Sequence, residues 1–138
     1  MSATQYPDST DDRHFLKRTL SIYGNQRARA KKDHQTLGYT LAELRAKANH
    51  AVTCCYCGCC LTTENLSVDH RKPVSRGGGW ELANMQIVCR HCNECKHVLD
   101  HAEFGQLMAV VLRLSPQAQS SVLTRLRRGP IYRGKRGR

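Results

Sequence analysis

Helical spacing of apolar positions marks both flanks of this chain. Phe15, Leu16, Leu20 and Ile22 give an apolar face to a helix expected over Thr10 to Tyr23. Asp11 and Asp12 suit its positive N-terminal end, and Gly24 is expected to stop it. Asn25 to Gln35 is strongly charged and compatible with helix or an extended arm. Thr40-Leu41-Ala42-Glu43 has the form of a capping box, in which threonine and glutamate satisfy each other's free backbone amides; it opens a helix to about His50. That helix is either a solvated surface element or one that faces a ligand. In the middle of the chain, Leu66 to Asp69 and Met85 to Val88 read as short strands, with a loop over Lys72 to Ala83. A helix starts near Cys92 and breaks by Leu99, because Asp100-His101-Ala102-Glu103 forms a second capping box. Phe104, Leu107, Met108, Val111, Leu112 and Leu114 make an apolar helical stripe expected in the core. Ser115-Pro116 starts a last helix and Gly129-Pro130 ends it. Residues 1–9 are expected to be disordered, and the tail beyond the last helix to be mobile in isolation.

The chain has 138 residues, which suits one domain with appendages. About a third of it is expected as helical arm or tail, so the apolar core is small and calls for a staple such as a structural metal. Lys and Arg number 22 against 11 Asp and Glu, giving a formal charge of +11. That balance favours a polyanionic partner, although a soluble basic or ribosome-associated protein has it too. The charge is clustered: residues 125–138 and 13–32 are rich in Lys and Arg and hold no acid, whereas Asp8, Asp11 and Asp12 make the start acidic. Eight cysteines could form a disulfide scaffold in a secreted chain. Met1 to Pro7 lacks a signal pattern, and the longest apolar run, Leu107 to Leu112, is too short to cross a membrane. A reducing cytoplasm with metal-bound thiolates is therefore the expected setting, with no membrane partner.

Four of those cysteines carry the strongest motif. Cys54-x2-Cys57 and Cys89-x2-Cys92 are two pairs that can close one tetrahedral zinc site. Cys57-x2-Cys60 and Cys92-x2-Cys95 have the same spacing, so the ligand set is ambiguous on spacing alone. Asp69-His70 lies between the pairs and Asn93 adjoins Cys92. Closing the metal site therefore gathers an acid, an imidazole and an amide, more than a structural zinc knob requires.

In this order and spacing the motifs resemble the HNH endonuclease family, the zinc-stapled branch of the ββα-metal or His-Me finger nucleases. The matching segments are Cys54-Cys55-Tyr56-Cys57-Gly58, then Leu66-Ser67-Val68-Asp69-His70 through Gly78, then Ala83-Asn84 through Cys92-Asn93-Glu94-Cys95-Lys96. They cover roughly residues 50–105, and the flanks carry no family motif. The resemblance implies an α+β fold: a small ββα-metal module with a four-cysteine zinc site, flanked by N- and C-terminal helices and a basic tail. The organisation expected is a helical, basic arm over 1–48, the HNH module over 49–104, and C-terminal helices with the tail over 105–138. It favours Cys54, Cys57, Cys89 and Cys92 as ligands of a closed, structural Zn2+. Cys55, Cys59, Cys60 and Cys95 become spare thiols, expected to be small buried residues.

The resemblance also assigns roles. His70 is expected as the general base, a task that suits an imidazole because its pKa lies near neutrality. Asp69 and Asn93 are expected to hold one catalytic divalent ion. Many members carry a second histidine at the position of Asn93; its replacement by an amide favours Mg2+ or Mn2+ over nickel or zinc. Asn84 is expected to brace the loop that orients His70. Lys96, three residues beyond Asn93 on one helix face, is expected to contact phosphate. Arg71, Lys72 and Arg76 flank the Gly77-Gly78-Gly79 loop and are expected to hold phosphates; the clustered charge, apart from the resemblance, adds Arg125, Arg127 and Arg128 as expected nucleic-acid contacts. Trp80 either packs under the loop or wedges into a groove. His91, His97 and His101 are expected as surface or phosphate-facing residues.

Two functions of different class follow. The first is a metal-dependent DNA endonuclease with one set of catalytic groups, cutting one strand per site. The second is a non-catalytic zinc module, a DNA-binding or scaffold subunit of a larger complex. Asp69, His70 and Asn93 together favour the first. DNA is the expected partner, with RNA or a larger nucleoprotein complex as further candidates, and the chain is expected as a monomer or weak dimer. Phage, mobile-element and defence settings in a bacterial or phage-infected cell all use small nucleases of this kind.

Overall fold

A computed structural model of the protein describes residues 9–129; the expected disorder over 1–9 lies outside the described residues except at Ser9, which opens the first helix, and the basic tail at 130–138 lies outside them too. In chain order the elements are α1 (Ser9–Lys32), α2 (Leu41–His50), β1 (Leu66–His70), β2 (Met85–Cys89), α3 (Arg90–Lys96), α4 (His101–Val111) and α5 (Pro116–Arg128), with 3-10 turns at Val74–Arg76 and Leu82–Asn84. The two capping boxes are present, at Thr40/Glu43 and Asp100/Glu103. Ser115 caps α5, Pro116 opens it and Gly129 closes it.

Helix α1 differs from the expectation: it runs through Gly24 to Lys32. Gly24 removes about 1 kcal/mol of helix propensity relative to alanine, but the buried positions Phe15, Thr19, Ile22, Gln26 and Ala30 continue at helical spacing on both sides of it. Burial of that stripe outweighs the one weak residue. The stripe is also not the one the apolar residues outline, since Leu16 and Leu20 are exposed while Thr19 and Gln26 are inside. Thr19 is satisfied locally: its hydroxyl donates to the Phe15 carbonyl at 2.8 Å.

Strands β1 and β2 pair antiparallel, with Val68 opposite Ile87, Asp69 opposite Gln86 and His70 opposite Met85. Side chains alternate across a strand, so this two-stranded sheet has two different faces. Leu66, Val68, Met85 and Ile87 meet Phe15, Ile22, Tyr39, Leu44 and Ala48 of the N-terminal half in one core. Val88 joins a second core with Tyr56, the four metal-motif cysteines, Cys95, Phe104, Met108 and Val111, and α5 covers it through Val122, Leu123 and Leu126. Neither residue 48 nor residue 104 separates one core from another. Leu112 and Leu114, expected in the C-terminal stripe, are exposed, because α4 ends at Val111 and the helical register that buried Phe104, Met108 and Val111 ends with it.

Candidate active site

The four cysteines come together through two local devices. In the first, an antiparallel bridge between Thr53 and Cys60 folds residues 54–59 into a knuckle. The Gly58 amide donates to the Cys54 carbonyl at 2.8 Å, and Gly58 takes a φ of 78°, where a side chain would strain the turn. In the second, β2 runs straight into α3: Cys89 caps the helix, its sulfur accepting the Cys92 amide at 3.4 Å. The sulfurs of Cys54, Cys57, Cys89 and Cys92 all lie within 4.8 Å of one another. Zinc–sulfur bonds of about 2.3 Å in a tetrahedron require sulfurs about 3.8 Å apart; Cys57 and Cys89 are at 3.7 Å. The cluster is thus compatible with a structural metal such as zinc. Four thiolates fill its shell and leave no position for reacting water. The alternative ligands lie elsewhere. Cys55, Cys59 and Cys60 are exposed, contrary to the expectation of buried spare thiols, because the knuckle points them outward. Cys95 is buried with its thiol toward the Leu123 carbonyl at 3.5 Å.

Next to this staple, β1 and α3 form the walls of a cleft of about 260 Å³. It is lined by Asp69, His70, Asn93, Lys96 and His97 together with Arg29 of α1 and residues 73–75 of the loop. Asp69 is 6% exposed. One oxygen accepts from the Gln86 amide at 2.7 Å and the other faces the Lys96 ammonium at 3.3 Å. Burial raises its pKa, and Gln86 and Lys96 pull it partly back. Asn93 donates its amide N–H to the Ser67 hydroxyl at 2.5 Å and to the Val68 carbonyl at 3.3 Å. With those contacts made, its oxygen is the end available to an ion. Both residues line the same cleft, and carboxylate and amide oxygens are hard donors of the kind Mg2+ or Mn2+ takes.

His70, at the end of β1, is nearly buried, its ring edge-to-face with Trp80 at a centroid distance of 4.6 Å. Its Nε2 has no hydrogen-bond partner among the described residues. Burial, with the positive charges of Arg29 and Lys96, lowers its pKa to about 4. The imidazole is therefore neutral at pH 7 and has a free nitrogen, the state a proton acceptor needs. Trp80 packs inside rather than projecting, with Arg29 above its ring at 5.7 Å and its indole N–H 3.4 Å from Asp33.

Asn84 ties the loop closed. Its side-chain oxygen accepts the Lys72 amide at 3.0 Å, its side-chain nitrogen donates to the Lys72 and Gly79 carbonyls, and its own carbonyl accepts the Arg71 amide at 2.7 Å. The residue after His70 is thereby fixed. Gly78 serves the same closure: a Cβ there would lie 1.8 Å from the Lys72 carbonyl oxygen. The glycine run is used for internal close approach.

The basic residues are less uniform than expected. Lys96 is 1% exposed. Its ammonium donates to the His70 carbonyl at 2.8 Å and pairs with Asp69, so it acts as an internal counter-charge in place of the surface phosphate contact anticipated. The reason is placement: α3 is only seven residues long, and its last turn sits directly under β1. Arg76 is engaged by the Glu103 carboxylate and the Val98 carbonyl. Arg71 and Lys72 are exposed, and Arg125, Arg127 and Arg128 lie exposed on the last turn of α5. His97 hydrogen-bonds the Leu126 carbonyl at 2.6 Å, and His101 Nδ1 meets the Tyr56 hydroxyl at 2.9 Å.

Two residues of the site escape a reading of the sequence. Gln86 holds Asp69 and reaches the Tyr56 hydroxyl at 2.5 Å, so the metal knuckle and the cleft carboxylate share one hydrogen-bonded chain. Arg29 reaches the cleft from a helix far away in sequence. Period-two alternation hints at Gln86 as a polar residue in a buried strand, whereas nothing local marks Arg29.

The fold and the site define a small α+β module of the ββα-metal type, with a four-cysteine cluster able to bind a metal. Residues 54–99 match the model of the HNH endonuclease family. No match was found among curated proteins. Among the described residues no helix is long and apolar enough to cross a membrane.

Proposed function

We propose that the protein is a metal-dependent endonuclease that hydrolyses phosphodiester bonds in DNA, one strand per site. The observation that carries this reading is His70 with an unpartnered Nε2, in the same cleft as Asp69 and Asn93. In the proposed reaction, a water oxygen bonds to phosphorus, its proton passes to His70 Nε2, and the bond to the 3′ oxygen breaks. Asp69 and Asn93 would hold one Mg2+ or Mn2+ ion, which when bound neutralises phosphate charge and stabilises the departing oxygen. Asn84 keeps the end of β1 in place through the loop. Zinc at the four cysteines would hold the knuckle against α3 and take no part in the chemistry.

The Lys96–Asp69 pair supports a second reading, a DNA-binding module without catalysis, because Lys96 already supplies the carboxylate with a positive charge at 3.3 Å. A supercoiled plasmid incubated with Mg2+ or Mn2+ separates the two. Nicked circles from the wild type and none from His70→Ala support the nuclease; equal yields from both would remove His70 as the base. Binding without any cleavage in either ion would favour the second reading.

A further inference from the structure

A second groove, of about 480 Å³, lies between α1 and β1. It joins the active cleft, for Arg29, Val68 and Asn93 line both. Its floor is Ile22, Val68 and Ser67, and its wall is α1 with Arg18, Asn25, Gln26, Arg29 and Lys32. Arg18, Asn25, Arg29 and Lys32 fall at or near a helical repeat of three to four residues, so α1 presents them as one row along the groove. No acidic residue lines it among the described residues.

The groove also holds polar atoms without partners. Arg18 gives one nitrogen to the Leu66 carbonyl at 2.9 Å, while its Nε is buried and unpaired. The Gln26 side chain is 6% exposed and its amide oxygen is likewise unpartnered. Buried donors and acceptors without partners are destabilising. Desolvation, and then the charge of Arg90, disfavours the Arg18 cation, a penalty that the attraction of an anion in the groove would offset. A row of cations without acids, opening into the cleft that holds Asp69, His70 and Asn93, suits an anionic chain.

We infer that this groove carries the DNA strand that leads away from the scissile phosphate, with Arg29 and Lys32 binding successive phosphates. The long first helix is then a substrate clamp. Its continuation past Gly24 is what brings Arg29 and Lys32 to the site. The inference rests on the nuclease reading for the direction of the strand, and its test is independent of cleavage.

The test is fluorescence anisotropy of a short labelled DNA duplex with full-length, zinc-loaded protein and no added magnesium or manganese, titrated across a range of sodium chloride. Each phosphate contact contributes about 0.9 to the slope of log affinity against log salt for duplex DNA, or about 0.7 for a single strand. Arg29→Gln and Lys32→Gln, both exposed positions, should each lower that slope by about this amount. Arg13→Gln and Lys17→Gln remove the same charge from the same helix on a different surface and should leave the slope nearly unchanged. Equal losses from both pairs would reduce the effect to net charge and overturn the inference, as would no loss from Arg29 and Lys32. If the wild type cuts DNA while the groove variants keep the full slope, the groove is wrong and the nuclease stands. If the slopes change as stated while no protein cuts, the groove stands and the nuclease reading falls.

Discussion

Replacing Lys96 with methionine probes the charge balance on which the cleft depends. The substitution keeps much of the stem and removes an ammonium 3.3 Å from Asp69. At an effective dielectric constant of about 20, unit charges at that separation attract by about 5 kcal/mol, and desolvating the two ions offsets a large part of it. The remaining carboxylate, 6% exposed, would keep Gln86 as its neutral partner. Removing one member of a buried pair costs about 3–5 kcal/mol, because the other charge is left uncompensated. Asp69→Asn leaves Lys96 buried with the His70 carbonyl and should also destabilise. The double variant should cost about 2–3 kcal/mol less than the sum of the singles.

The assay is urea unfolding of zinc-loaded protein at neutral pH, read by the fluorescence of Trp80, the only tryptophan, which packs on His70. The pH dependence has a defined sign. Asp69 already has a raised pKa through burial, and losing Lys96 raises it further. A folded state that holds the proton more tightly than the unfolded state gains stability as pH falls. The deficit of Lys96→Met relative to wild type should therefore shrink on acidification. Single variants costing under about 1 kcal/mol, additive in the double and flat with pH, would mean that water screens the pair and that Lys96 is no internal counter-ion.

Three further outcomes are expected. Cys89→Ser should lose zinc and the second core together, since this sulfur serves both the cluster and the cap of α3; circular dichroism with metal analysis checks it, and a folded, zinc-replete variant would shift the site to neighbouring cysteines. His70 should make the protein acid-sensitive: its pKa of about 4 lies below the unfolded value of about 6.5, so its contribution is fully present above pH 6.5 and is lost as pH falls toward 4. That contribution is up to about 3 kcal/mol, and His70→Gln should flatten the unfolding profile across that window; an unchanged profile would mean that His70 is solvated. Gln86→Leu should leave the protein folded but weaken Mn2+ binding about tenfold or more, because the carboxylate loses the bond that orients it; an unaltered Mn2+ titration would leave Asp69 positioned by Lys96 alone.

What the sequence reveals of this site divides along a physical line. The cysteine pairs, capping boxes and strands depend on neighbours a few residues apart, and they lie within a residue or two of where the spacing puts them. That Asp69, His70 and Asn93 share one cleft follows for the same reason, since each sits at the end of a strand or in the first turns of a short helix. The role of Lys96 was misjudged because position on a helix face does not say which side of that face is covered, and here β1 covers it. Gln86 became visible only once register set it opposite Asp69. Arg29 required two further facts: that α1 passes Gly24, and that its buried stripe runs through Thr19 and Gln26. A hydrophobicity pattern does not carry a stripe through its polar members, Thr19 and Gln26. The same polar stripe makes α1 suitable as a clamp: a wholly apolar face would have sealed it against β1, whereas Arg18 and Gln26 keep hydrogen-bonding groups along the seam beside the cleft. The residues least legible in the sequence are thus those through which the N-terminal helix reaches the chemistry.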